Sequence, residues 1–236
     1  MFVSFPPLLK NAKLLYGFSK DSSRCGLGVL CVGEPKQHEG VIDCVQQIEP
    51  SESKSSFFAE LKGTIYILHN DGIINAYTYG NDSIEHVVSF RATHSFALVA
   101  SAFSACDKND RLYLGNRSDQ SVYSVEFNDE SYALQGFTKL HDISEYPQSL
   151  SAFPDGRLGM LVAVTGSFLG MWQGRLEIYD SKTKYVQVSS RVPEWATSPW
   201  CFTYIDAERN TCAVSYGLFT SGVLIIDCKK DTVIAA

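Results

Sequence analysis

Long apolar runs, basic blocks and paired cysteines are all missing from this 236-residue chain. No stretch reaches the 18 or so apolar residues of a membrane-crossing helix, so no membrane partner is expected. Lys and Arg total 20 against 26 Asp and Glu, a formal charge of −6. No cationic stretch could follow a phosphate backbone, so nucleic acid is not an expected partner either. The seven cysteines, at 25, 31, 44, 106, 201, 212 and 228, contain no CxxC pair and form an odd set. That fits neither a disulfide framework nor a zinc site, and reduced thiols packed in strands are expected. His38, His69, His86 and His94 are scattered without metal-ligand spacing, which predicts surface or turn histidines, no metal and no cofactor. The apolar start, Met1 to Phe18, is interrupted by Pro6, Pro7, Lys10 and Lys13. It lacks the uninterrupted core and cleavage site of a secretory leader, so a cytoplasmic or nuclear location is expected.

Sustained helical periodicity is also lacking; short β-rich runs punctuated by Gly, Asn, Asp and Ser recur instead, which predicts an all-β fold. One unit has Phe57 to Leu61, Gly63 to His69, Gly72 to Tyr79 and Ile84 to Phe90 as strands, with an Asn70-Asp71-Gly72 hairpin turn. A second runs Leu98 to Phe103, Arg111 to Asn116, Ser121 to Phe127 and Ala133 to Lys139, with Ser118-Asp119-Gln120 at the matching turn. A third has Ser149 to Phe153, Met160 to Thr165, Gly174 to Asp180 and Tyr185 to Arg191. A fourth has Trp200 to Ile205, Cys212 to Tyr216, Gly222 to Asp227 and a last strand near Thr232 to Ile234. The third strands open at Gly72, Ser121, Gly174 and Gly222, separated by 49, 53 and 48 residues. A period near 40 to 50 with four short strands per unit is the signature of propeller blades. Gly28 to Val32 and Val41 to Ile48 read as an incomplete first blade.

Single twisted sheets cannot bury both faces alone, and stacking them around an axis does so. The expected architecture is therefore one domain, 1–236, of about four to five four-stranded antiparallel blades. Residues 1–56 form a divergent first blade, and 57–92, 98–139, 149–191 and 199–236 form the others. Two sandwich domains are the structural alternative.

The third strands Gly174 to Asp180 (Gly-x-Leu-x-Ile-Tyr-Asp) and Gly222 to Asp227 (Gly-Val-Leu-Ile-Ile-Asp) resemble WD40 repeats, with Tyr-Asp and Ile-Asp where Trp-Asp is usual. The resemblance covers roughly residues 57 to 236 and implies a shortened, divergent WD40-like propeller. A narrower similarity, to the WD-repeat diphthine methylesterase family, follows the order His69 to Tyr77, Ser118 to Tyr123, Leu140 to Tyr146, Thr165-Gly166, then Gly174 to Asp180. It implies hydrolysis of a methyl ester on elongation factor 2. Tyr146 stands where that family has Trp, and Thr165-Gly166-Ser167-Phe168 lacks its paired aspartates.

Two sets of residues could carry function. His141-Asp142 with Glu145 could orient an imidazole as a general base, but adjacent side chains in a loop rarely face each other usefully, so a solvated inter-blade turn is expected. No Gly-x-Ser-x-Gly elbow accompanies them. Phe168, Met171, Trp172, Trp195, Trp200 and Phe202 could form a recognition patch on a propeller face, where Trp and Tyr anchor partner side chains; packing between blades is the structural alternative. Arg111, Arg117, Arg157 and Arg175 could line a ring of loops or serve as dispersed solubilising charge. Asn116-Arg117-Ser118 matches a glycosylation acceptor without secretory context. The leading expectation is a protein-binding platform with Trp172, Trp195, Met171 and Phe168 as its contact residues. The rival is the methylesterase, with enzymatic activity left open between the two.

Overall fold

A computed structural model describes residues 13–21, 24–31, 41–48, 56–69, 72–80, 83–92, 98–106, 108–127, 134–143, 145–164, 173–180, 182–217 and 221–236. Every regular element among them is a strand. Contacts divide the chain into two units, Met1–Phe90 and Arg91–Ala236.

The first unit holds a three-stranded sheet, β1 (Lys13–Asp21), β2 (Arg24–Cys31) and β3 (Val41–Ile48), and a four-stranded one, β4 (Ser56–Leu61), β5 (Thr64–His69), β6 (Ile73–Gly80) and β7 (Ser83–Arg91). Lys13–Asp21 lay outside the expected strands. Its alternating Leu14, Tyr16 and Phe18 have the period of two that a pleated strand needs. The Gly72 amide bonds the His69 carbonyl at 2.9 Å, and Gly72 takes φ +85°, the conformation that makes glycine useful after a tight turn.

The second unit holds three four-stranded antiparallel meanders: β8 (Ala100–Cys106) to β11 (Leu134–Asp142), β12 (Tyr146–Ala152) to β15 (Tyr185–Arg191), and β16 (Pro199–Asp206) to β19 (Thr232–Ala235). Between them run β9 (Arg111–Asn116) and β10 (Ser121–Phe127), β13 (Leu158–Val164) and β14 (Gln173–Asp180), and β17 (Thr211–Gly217) and β18 (Ser221–Asp227). The second strands β9 and β13 are buried on both faces, which explains their unbroken apolar runs, Leu112–Leu114 and Leu158–Ala163. The last outer strand, β19, is exposed throughout.

Alternation along β13 shows how one strand serves two cores. Met160 and Val162 pack with Ala102, Tyr113, Val122 and Leu150 toward the sheet before. Leu161, between them, packs with Leu176, Ile178, Phe202, Val214 and Leu224 toward the sheet after. Each such aliphatic side chain contributes about 1.5–3 kcal/mol on burial. The first strands β8, β12 and β16 adjoin one another and are rich in small residues, so hydroxyls bridge them: Ser101 Oγ donates to the Pro147 carbonyl at 2.5 Å, the Ala152 amide to Ser104 Oγ at 3.0 Å, and the Phe202 amide to Ser149 Oγ at 3.3 Å.

The turns at the far ends of these strands interlock. Asn109 Nδ2 donates to the Gly156 carbonyl at 2.7 Å. Arg157 donates from Nη2 to the Ala207 carbonyl and from Nη1 to Asn210 Oδ1, both at 2.7 Å, while stacking on Phe153. The acid that closes β18, Asp227, accepts the Lys229 and Lys230 amides at 3.0 Å, and Asp180 accepts the Lys182 amide at 2.8 Å. The strand-ending aspartates of the repeats are thus turn caps.

Candidate functional site

His141 and Asp142 are not in an inter-blade turn: β11 continues through both, because Ser121 pairs with Asp142 and Val122 with His141. Successive strand residues point to opposite faces, which separates the two. Asp142 accepts from Ser121 Oγ at 3.0 Å and is ion-paired with Lys139. His141 reaches the next sheet, where its Nε2 lies 3.6 Å from Glu177 Oε2 and its ring lies against Tyr179. Glu145 pairs with Arg175 at 3.3 Å, and Arg175 Nε donates to Glu177 Oε1 at 2.6 Å. Glu177 is 8% exposed. Burial pushes its carboxyl up, but His141 and Arg175 outweigh that and hold it below its ordinary value. The Tyr179 hydroxyl adds a 3.2 Å bond to the Leu140 carbonyl. The structure brings His141, Glu145, Arg175 and Glu177 together as an ionic strut between two sheets and leaves Asp142 out of it.

The connections that open β10, β12 and β16 lie at the same end of the sheets as Glu145 and Arg175. Arg117 lies over the Tyr146 ring at 4.8 Å. The segment 192–198 carries Trp195, which is 54% exposed and sets its ring at 88° to that of Tyr216, 5.7 Å between centroids. Trp200, 46% exposed, donates from Nε1 to the Gly217 carbonyl at 3.0 Å. Phe168, Met171 and Trp172 lie outside the described residues.

Two glycines seat this aromatic end. At Gly174 a Cβ would fall 2.5 Å from Pro199 Cγ and 2.9 Å from Val192 Cγ2, so the bare backbone lets the 192–199 segment close onto β14; the Val192 amide then bonds the Gly174 carbonyl at 2.9 Å. Gly222 is paired across the ladder with Tyr216, and a Cβ there would lie 2.7 Å from Tyr216 Oη. The ring therefore lies across the space that the missing side chain leaves. Ser198 is buried and takes φ +52°, directly before Pro199, where the chain ordinarily prefers extended backbone. Such a conformation is held by its surroundings, here the Gly217 amide bonding the Ser198 carbonyl at 3.4 Å. Tyr216 was not singled out in sequence; the glycine opposite it in the hairpin was the available signal.

The remaining described candidates have partners within the chain. Arg111 pairs with Glu126 at 2.8 Å, so it and the other three arginines each have a partner within the chain. Asn116 is fully buried and accepts the Val99 and Ser118 amides, so it offers no surface to a glycan. His69, expected at the surface, is 3% exposed and bonds Asn75 at 2.9 Å; it belongs to a strand buried on both faces. His86 is exposed and bonds Ser89 Oγ at 2.8 Å; His38 and His94 lie outside the described residues. Cys212 and Cys228 are buried free thiols sharing one core. A hydrogen bond between them, then burial, pushes the Cys212 thiol up, away from nucleophilic character. Among the described residues no helix is long and apolar enough to cross a membrane, and no group of three His, Cys, Asp or Glu could hold a metal.

No protein-family model matches the sequence. No curated protein matches it either. Among solved structures, it is similar to hydrazine synthase of Kuenenia stuttgartiensis at 13% identity and TM-score 0.57, over 88% of this chain and 60% of that one. A chain of the nidogen/laminin complex is similar at 12% identity and TM-score 0.57, over 90% and 74%. Luciferin-regenerating enzyme is similar at 11% and 0.52, over 88% and 72%. The chain thus spans less than two thirds of the hydrazine synthase chain. At such identities the likeness shows the fold alone: all-β and propeller-type, with four four-stranded antiparallel sheets among the described residues.

Proposed function

We propose that the chain is a protein-interaction platform of divergent WD40-like repeats, and that its binding face is the end that carries Trp195, Trp200 and Tyr216. The observation that carries this reading is a pair of half-exposed tryptophans, Trp195 in the 192–198 connection that closes onto Gly174 and Trp200 at the start of β16, with Tyr216 seated over Gly222 against Trp195. Exposed aromatics on a preordered surface lose little entropy on binding and dominate interface energies. Phe168, Met171 and Trp172, singled out from the sequence, are kept in the proposal as contact residues. A propeller-type fold is compatible with this role and does not by itself specify a partner.

The methylesterase alternative, acting on elongation factor 2, has no support in the comparisons. His141, Asp142 and Glu145 are engaged with Glu177, Lys139 and Arg175 respectively, not with a nucleophile.

Quantitative capture of proteins by the full chain tests the platform. Trp195→Ala is expected to lower recovery of specific partners by about tenfold or more. Glu208→Lys, in the turn at the opposite end, is expected to retain them. Equal recovery by the wild type and Trp195→Ala overturns the reading.

A further inference from the structure

The last sheet places two buried thiols in contact. Cys212 stands opposite Ile226 in the β17–β18 ladder, and the Cys228 amide bonds the Asn210 carbonyl at 3.0 Å, which carries the pairing one step past Asp227. Side chains two apart on a strand share a face, so Cys212, Ile226 and Cys228 enter the same core, with Cys212 and Cys228 as diagonal neighbours. Both are free thiols, joined by a hydrogen bond. Cys106 and Cys201 are placed otherwise. Cys106 lies in the preceding core and donates to the Phe153 carbonyl at 3.8 Å, and Cys201 accepts from Ser149 Oγ at 3.7 Å across the inner strands.

That hydrogen bond divides the pair chemically. It holds the proton on Cys212 and draws the Cys228 thiol down against the effect of burial, so Cys228 has the more thiolate character. Cys228 also leads straight to the surface: residues 229–236 are exposed, and β19 pairs with β18 at three positions with a bulge among them. Such an edge opens locally at far lower cost than the core. We infer that Cys212 and Cys228 are a redox-active dithiol, which a peroxide closes to a disulfide across the mouth of the β17–β18 hairpin. The Cys228 thiolate attacks one peroxide oxygen and the O–O bond breaks; the leaving hydroxide takes up the thiol's proton as water, and Cys228 becomes a sulfenic acid. The Cys212 sulfur then attacks that sulfur, the S–O bond breaks, and the second hydroxide leaves as water with the Cys212 proton. Two thiols and one peroxide give one disulfide and two waters. The inference stands apart from the platform reading.

Arg209 and Lys229 bound a tryptic peptide, 210–229, that holds both cysteines and no other. The test adds hydrogen peroxide to the folded full chain, blocks the remaining thiols with iodoacetamide in denaturant, and weighs the digest. Peptide 210–229 is expected to lose two hydrogens, to take up no alkyl group and to revert with dithiothreitol, while peptide 192–209, which holds Cys201, is alkylated as in the untreated chain. In Cys212→Ser the reaction stops at the Cys228 sulfenic acid, which dimedone is expected to label; in Cys228→Ser, dimedone is expected to leave Cys212 unlabelled. A peptide 210–229 that stays alkylated at both cysteines until the chain is unfolded in urea overturns the inference. A disulfide joining that peptide to another cysteine, or dimedone on Cys212 in place of Cys228, overturns it equally. The mass of the wild-type peptide decides the matter even where a serine variant fails to fold.

Discussion

Gly174 and Gly222 entered as register marks, the opening residues of two third strands, and the structure gives each a different steric task. A Cβ at Gly174 meets the Pro199 ring at 2.5 Å and Leu161 Cδ1 at 3.1 Å, both in packed surroundings. Gly174→Ala is therefore expected to cost about 1–3 kcal/mol as overpacking, read as a lower urea midpoint at constant slope. A Cβ at Gly222 meets only the outer end of the Tyr216 ring, which can swing away. Gly222→Ala is expected to change stability by less than about 1 kcal/mol while displacing the ring, and so to weaken partner binding. An unchanged midpoint for Gly174→Ala contradicts the seating role. These roles were invisible in sequence, because a strand-opening glycine looks the same whether it accommodates a proline from the next loop or a tyrosine across its own ladder.

Strand patterns were far more legible than the ends of strands. The apolar runs Ile65–Leu68, Leu112–Leu114 and Leu158–Val162 announced buried second strands, and the hairpin turns announced antiparallel pairing. Two boundaries misled. Strand β12 begins at Tyr146, through a proline placed beside a bulge, and β11 runs on to Asp142. In that extension His141 looks like a loop residue because its partner, Glu177, comes from another sheet. Glu177, the center of this contact, follows from the same cause: it sits mid-strand among apolar neighbours and gives no sign in sequence that Arg175 and His141 surround it. Its carboxyl is held below the ordinary value of 4.5. The stability it contributes is fully present above that ordinary value and is lost as pH falls through the folded one. Replacing it by glutamine is expected to cost about 1–3 kcal/mol at about pH 7. The gap between wild type and Glu177→Gln, measured by urea unfolding, is expected to shrink toward about pH 3. A gap that is constant over that range contradicts the ionic strut.

For the molecule as a whole, repetition was the strongest signal, since unit spacing near 50 residues requires sheets that bury one another's faces. Function was less legible because a propeller-type fold serves many roles and the proposed binding face rests on a few side chains. Tyr216 shows why: its ring meets that of Trp195, twenty-one residues away in sequence and 5.7 Å away in space. The account stands most directly on where a partner touches the chain. Hydrogen–deuterium exchange of the full chain, free and saturated with a protein captured by the wild type, is expected to show protection at 192–200 and 211–217. The turns at 154–157 and 207–210 are expected to remain unchanged. Protection confined to those turns, with 192–200 exchanging as in the free chain, contradicts it.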